Sequence, residues 1–360
     1  MQSRRGIAGF LAAAAAAAIS AGALASGAGA TELVAPASAG PPQRPSLKHL
    51  DFNGFFPSIV KINVGDSVSW SINGFHTVSF LSGAPVPPPI IPSPTLLVSG
   101  QLDAAKAPFW FNGQPQQIIN PQAAFPSGGN TYDGTGFLSS GTPSPEGPPK
   151  PFVVKFTKAG SFTFNCLVHA GMKGVVKVLP AGKKAPTAAE DSAKALAEEK
   201  AGLRIARKLK KVKVPSKTVL AGNDGDGSVA WLRFFPEHLK IKVGTTVNFK
   251  LASQREIHTI TIGPAAYTSA IEASFTTAQP NPGGPPTLLV SPLASYPSDP
   301  PPLPPFTGAN HGNGFENAGI LAAGGGPLPS SAKIKFTKPG VYSFECVVHE
   351  NMDGTITVTK

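Results

Sequence analysis

KFTKAGSFTFNCLVHAGMKGVVKV (155–178) and KFTKPGVYSFECVVHENMDGTITV (335–358) are two copies of one pattern. Each copy reads as strand, turn, strand, a short loop and a closing strand. Phe156, Phe162 and Phe164 mark two strands of the first copy, Gly160 turns between them, and Val175, Val176 and Val178 close it. The loop holds a cysteine, a histidine and a methionine, each three residues after the last.

The duplication extends upstream in the same order. FPSIVKINVGDSVSW (56–70) matches FPEHLKIKVGTTVNF (235–249), HTVSF (76–80) matches HTITI (258–262), and PTLLVSG (94–100) matches PTLLVSP (286–292). Ile62, Val64, Val68 and Trp70 alternate with polar residues, the signature of half-buried strands. The chain is therefore expected to be all-β, with two tandem sandwiches over 41–180 and 218–360.

Three other segments stand apart. Residues 83–151 and 263–330 hold 29 of the 39 prolines, which disfavours regular helix or central strand there. These long inserts are either ordered loops packed over the sandwiches or mobile ones. Residues 187–211, within a linker at 181–217, lack proline and are rich in Ala, Glu, Lys and Leu, with acidic residues early and basic ones late. A helix is expected, with Leu196, Leu203 and Leu209 roughly on one face. It is a solvated interdomain helix or a basic docking surface for an acidic partner or membrane.

The formal charge of +11 sits mainly in that linker, which carries eleven Lys/Arg against four Asp/Glu. A nucleic-acid-binding fold would spread its basic residues over a domain surface, so that class is set aside. Residues 1–30 read as an export signal: Arg4 and Arg5 precede an uncharged, Ala-rich run ending in small-x-small sites. SRRG hints at the twin-arginine route without matching its consensus well. No later apolar run could span a bilayer. The expected location is periplasmic, cell-surface or extracellular, without a transmembrane segment once the signal is removed.

Cys166 and Cys346 are the only cysteines, and Met172 and Met352 the only methionines beyond Met1. His169 and His349 lie midway between them. Every Cys and every internal Met therefore belongs to a twice-written C-x2-H-x2-M. His76 and His258 are the other histidines at matched positions. Thiolate, thioether and two imidazoles make a soft donor set suited to copper in the trigonal His2Cys arrangement with a weak axial Met. Zinc does not ordinarily take a thioether. A Cys166–Cys346 disulfide would leave four His and Met residues without a role. His49, His238 and His311 have no matched partners and are expected on the surface or in loops.

Both halves resemble cupredoxins of the plastocyanin and amicyanin type, through the lead-ins GSFTFNC and GVYSFEC, the C-x2-H-x2-M loops and the strand-opening His76 and His258. The resemblance covers about 50–70 residues of each repeat, and the Pro-rich inserts depart from it. It implies Greek-key β-sandwiches and two type 1 coppers, one held by His76, Cys166, His169 and Met172, the other by His258, Cys346, His349 and Met352. Thr77 and Thr259 either brace the ligand loop or are ordinary strand threonines. Oxidases of this fold need H-x-H pairs and histidines flanking the cysteine, and neither occurs here. A non-enzymatic carrier of single electrons between redox proteins is expected, with copper storage or delivery as the alternative.

Overall fold

A computed structural model describes residues 32–43, 47–143, 150–225, 227–323 and 326–360. The export signal read over 1–30 lies outside the described residues. Among the described residues, no helix is long and apolar enough to cross a membrane.

The all-β expectation holds, as two sandwiches. In the first, one sheet runs Phe55–Phe56, Val34–Ala39, Ser67–Ile72, Phe152–Phe156, Thr131–Tyr132. Its partner runs Leu138–Ser139, Ser79–Phe80, Gly160–Asn165, Lys173–Leu179, Ile59–Asn63. Alternation turns one face of each sheet inward: Val68, Trp70, Val154 and Phe156 meet Val60, Ile62, Phe80, Phe164 and Val176 in one buried core. Trp70 and Phe164 cross the sandwich edge to face, with ring centroids 5.2 Å apart.

The second sandwich repeats this plan. Its central pairs are Thr218–Asn223 with Thr246–Leu251, and Gly340–Glu345 with Asp353–Thr359. Phe249 and Phe344 occupy the places of Trp70 and Phe164, 5.4 Å apart. In both copies the strand that carries the cysteine at its end sits between the closing strand and the histidine strand. That order brings the two segments that carry the candidate ligands side by side.

The described parts of the inserts are ordered, and they pair with each other. Ile90–Leu97 and Pro115–Ile119 of the first join Thr276–Gln279 and Thr287–Val290 of the second in a four-stranded sheet, through the pairing of Leu289 with Ile118. Several elements of the inserts depart from the expectation that proline disfavours helix and central strand. Pro115–Ile119 is an interior strand, possible because its proline stands at the first position. Ala265–Ala273 is a helix that follows Pro264 and contains no proline. Pro92 and Pro94 fall on the sheet's edge strand, where the register with Pro115–Ile119 shifts. Phe109, Phe111, Ile271 and Phe315 from the two inserts share a small core.

The linker helix is Ala188–Leu209, opened by a capping box in which Thr187 and Glu190 satisfy each other's backbone N–H. Its buried face consists of Asp191, Ala195, Glu199, Gly202 and Ala206, with Leu203 and Leu209 at the margins. Three of these five residues are small, and at Gly202 Phe52 and Val229 approach closely. A Cβ on Gly202 would lie 2.6 Å from the Phe52 ring. Trp231 Nε1 donates to the Ala206 carbonyl at 2.8 Å. The helix is thus packed against both halves on one side, while Arg204, Arg207 and Lys208 are exposed on the other.

One buried group makes stability depend on pH. Glu316, in the strand paired with His258–Ile262, has Oε1 without a hydrogen-bond partner, and its Oε2 accepts from Asn310 at 2.7 Å. Burial, with the neighbouring Asp299 charge, pushes its carboxyl up to about 8 from 4.5. The unfolded chain gives up this proton first, so stability falls as pH rises between those values, by on the order of 5 kcal/mol. Glu316→Gln is expected to leave the unfolding midpoint unchanged at pH 5 and to raise it at pH 9, measured by thermal denaturation.

Candidate metal centre

Each centre is assembled from two segments that the sheet holds together. Cys166 follows the strand Gly160–Asn165, and Met172 precedes Lys173–Leu179. The loop between them is closed by Cys166 N–H donating to Met172 O (2.9 Å) and by Met172 N–H donating to His169 O (3.1 Å). His76 comes from the segment before Ser79–Phe80, which pairs with the cysteine strand. The second copy repeats both loop bonds, at 2.9 and 3.3 Å, between Cys346, Met352 and His349. His258 opens the strand His258–Ile262.

The structure brings His76, Cys166 and His169 into one group and His258, Cys346 and His349 into another. In the first, Cys166 Sγ lies 3.5 Å from His169 Nδ1 and 4.0 Å from His76 Nδ1, and the two nitrogens are 3.0 Å apart. In the second, both sulfur–nitrogen edges are 3.6 Å and the nitrogen–nitrogen edge is 3.1 Å. A first-row ion about 2.0 Å from nitrogen and about 2.3 Å from sulfur fits such a triangle. Met172 and Met352 are buried in the same cores as their cysteines. Both cysteines are free, so the disulfide alternative does not occur.

The sulfurs are prepared as thiolates. Thr77 N–H points at Cys166 Sγ and Thr259 N–H at Cys346 Sγ, each at 3.4 Å. Burial opposes ionisation of Cys166, but hydrogen bonds with His169 and His76 outweigh it and hold the thiol well below its ordinary range. Cys346 is lowered in the same way by His258 and His349. Burial likewise opposes protonation of His349, yet the Cys346 hydrogen bond and Glu256 push it up to about 10. His169 is raised well above its usual value against burial, chiefly by the Glu256 charge.

Both threonines after the upstream histidines brace the loop of candidate ligands. Thr77 Oγ1 accepts Leu167 N–H at 2.8 Å, and Thr259 Oγ1 accepts Val347 N–H at 2.9 Å. Ser79 and Thr261 donate to these hydroxyls in turn. The residue after each cysteine is thereby tied to the residue after each upstream histidine.

Two residues escaped the sequence reading. Glu256 lies between the centres, with Oε2 3.5 Å from His169 Nε2 and 3.3 Å from His349 Nε2. Asn53 Nδ2 donates to Glu256 Oε1 at 2.7 Å. One signal was available: the segment from Phe249 to His258 is three residues longer than that from Trp70 to His76, and the extra length brings in Glu256. Of the unmatched histidines, His238 is exposed and bonded to Thr355, and His49 is partly exposed. His311, in the second insert, is clasped by Asp299 and Asp103.

No family model matches the chain, and no curated protein does. Similar solved structures include the oxidised plastocyanin from Dryopteris crassirhizoma, at 20% identity over 39% of this chain and 99% of that one, with TM-score 0.21. They also include the purple cupredoxin from Nitrosopumilus maritimus, at 18% identity over 39% and 98%, with TM-score 0.20. A third is the auracyanin from Roseiflexus castenholzii, at 19% identity over 41% and 100%, with TM-score 0.25. The chain is similar to cupredoxins in each case, and the weight of any functional conclusion falls on the two triangles themselves.

Thr77→Val keeps the shape and removes the acceptor for the buried Leu167 N–H. Leaving that donor unpaired is expected to cost about 1–3 kcal/mol of unfolding free energy, measured by denaturant titration of the metal-free protein. Thr77→Ser should recover most of the loss.

Proposed function

We propose that the chain is an exported blue-copper protein that carries single electrons at two sites and is not an enzyme. His76, Cys166, His169 and Met172 hold the first copper, and His258, Cys346, His349 and Met352 the second. The observation that carries this reading is the near-identity of the two S–N–N triangles, each with a backbone N–H on sulfur and a buried Met closing the loop. Bound copper supplies a one-electron Cu(II)/Cu(I) couple, for which thiolate, two imidazoles and a thioether are suited donors.

The chain's own residues do the rest. Thr77 and Thr259 fix the ligand loops through their hydroxyls and direct backbone N–H groups at the sulfurs. Packing around His76 and His258, both fully buried, keeps water from the donor atoms and fixes the rings. A rigid, dry donor set favours little rearrangement between oxidation states. Burial also weighs against storage or delivery, since an ion to be handed on needs ligands that a partner can reach. Four of the seven histidines are taken up by the two triangles, which leaves too few for a further catalytic copper cluster. The partners are taken to be redox proteins outside the cytoplasm.

Copper-loaded protein is expected to show an intense thiolate-to-Cu(II) band in the visible spectrum. Cys166→Ser should remove one site's share of that band and Cys346→Ser the other's. Absence of the band in the unmutated protein, or its complete loss with either single variant, would overturn the reading of two separate blue-copper sites.

A further inference from the structure

The two centres meet at one carboxylate. Glu256 is buried, and each of its oxygens has a defined set of neighbours. Oε1 accepts from Asn53 Nδ2, while Oε2 faces the outer nitrogen of His169 on one side and that of His349 on the other. The inner nitrogen of each ring, Nδ1, belongs to a triangle.

The carboxylate is held by parts of both halves. Asp224 accepts the backbone N–H groups of Gln254 and Arg255, fixing the turn before Glu256. The Arg255 guanidinium donates to the Asn53 carbonyl at 2.7 Å, so the residue that holds Glu256 from the first half is itself held from the second. A buried carboxylate is tolerated only when paired and hydrogen-bonded, and here the pairing groups are the two ligand imidazoles. A carboxylate on the outer N–H of a ligating histidine fixes its tautomer, aims its other nitrogen and raises its basicity. One oxygen in contact with two such rings does this for both.

We propose that Glu256 is a positioning residue shared by both metal centres, so that the two form one linked pair through His169, Glu256 and His349 rather than two carriers joined by a helix. This rests on the copper reading of the triangles. Negative charge beside both rings favours the more highly charged Cu(II) at both sites. Because the two sites draw on one carboxylate, a change of charge at either alters what the other receives, and the coupling is reciprocal.

Glu256→Gln tests this. The substitution keeps the shape, and the Asn53 amide can turn its unpartnered Oδ1 toward the new NH2 group. Each site is read alone from its visible band during reductive titration, the first in a Cys346→Ser background and the second in Cys166→Ser. Glu256→Gln is expected to raise both midpoints, shifting each Cu(II)/Cu(I) equilibrium about tenfold toward Cu(I), which is 59 mV for one electron. A shift at one site only, or at neither, overturns the shared role while leaving the copper reading intact.

A second measurement needs neither copper nor a change at Glu256. In metal-free, 15N-histidine-labelled protein, the Nε2–H protons of both His169 and His349 should appear at low field with slow exchange. Seeing only one, or neither, also overturns the proposal. If the visible band is absent, the copper reading fails and this second measurement alone decides whether the carboxylate is shared.

Discussion

The hydrogen bond from the cysteine N–H to the methionine carbonyl, made once in each half, fixes the loop on which the centre depends. It closes a seven-residue excursion between two adjacent strands, and the histidine midway around the excursion is then turned back toward the sulfur. With three candidate ligands set by one short loop, the rest of the sandwich has only to deliver one more imidazole. It does so by pairing the cysteine strand with the strand that begins at or just after His76 or His258. The threonine hydroxyl that accepts the next N–H pins these two segments together beside the sulfur. Phe164 and Phe344, two residues before the cysteines, anchor the same strand in the core against Trp70 and Phe249. Packing and ligand placement are therefore one constraint, and it acts twice.

What could be read from the sequence follows from this locality. C-x2-H-x2-M and its strand lead-in are contiguous, so residue type and spacing carry the chemistry, and alternation carries the strands. The insert sheet is another matter. The Leu289–Ile118 pairing joins residues far apart in the chain, and nothing in either proline-rich segment points to the other. The helix face was hidden for a different reason. Ala195, Gly202 and Ala206 make a buried stripe because Phe52 and Trp231 come close, yet small residues give no hydrophobic signal, and the leucines that do give one lie at the stripe's margins. Glu256 was visible only as an irregularity between the copies, where one loop outgrows the other by three residues.

The two halves are joined in several independent places. The segment Leu50–Asp51 adds a short strand to the second half's sheet by pairing with Ala230 and Trp231. Leu50, Phe52 and Phe56 share a core with Leu220, Trp231 and Phe235, and the linker helix covers it. The inserts make a separate bridge through their common sheet, where Trp110 Nε1 donates to the Pro297 carbonyl. Such repeated attachment resists the relative motion ordinarily expected of tandem domains. A carboxylate oxygen that lies 3.5 Å from a ring of one half and 3.3 Å from a ring of the other needs that rigidity, because a loosely tethered pair would leave its charge buried and unpaired.

Duplication made the donor triangles alike, and the differences between the centres lie outside them. His258 has its outer nitrogen 3.2 Å from Ser253 Oγ, whereas the outer nitrogen of His76 is buried with no hydrogen-bond partner. The loop that supplies Ser253 is the same one that supplies Glu256, and this loop, three residues longer than its counterpart in the first half, carries both the hydroxyl beside His258 and the carboxylate that faces both halves. A ligand histidine whose outer N–H has an acceptor is more basic and more tightly aimed than one without. The outer edge of the His76 ring instead packs against Gly40 and Gly74, whose missing side chains leave room for it. The two triangles have the same inner atoms and unequal outer partners, and the inequality traces to a single loop rather than to any change in the triangles themselves.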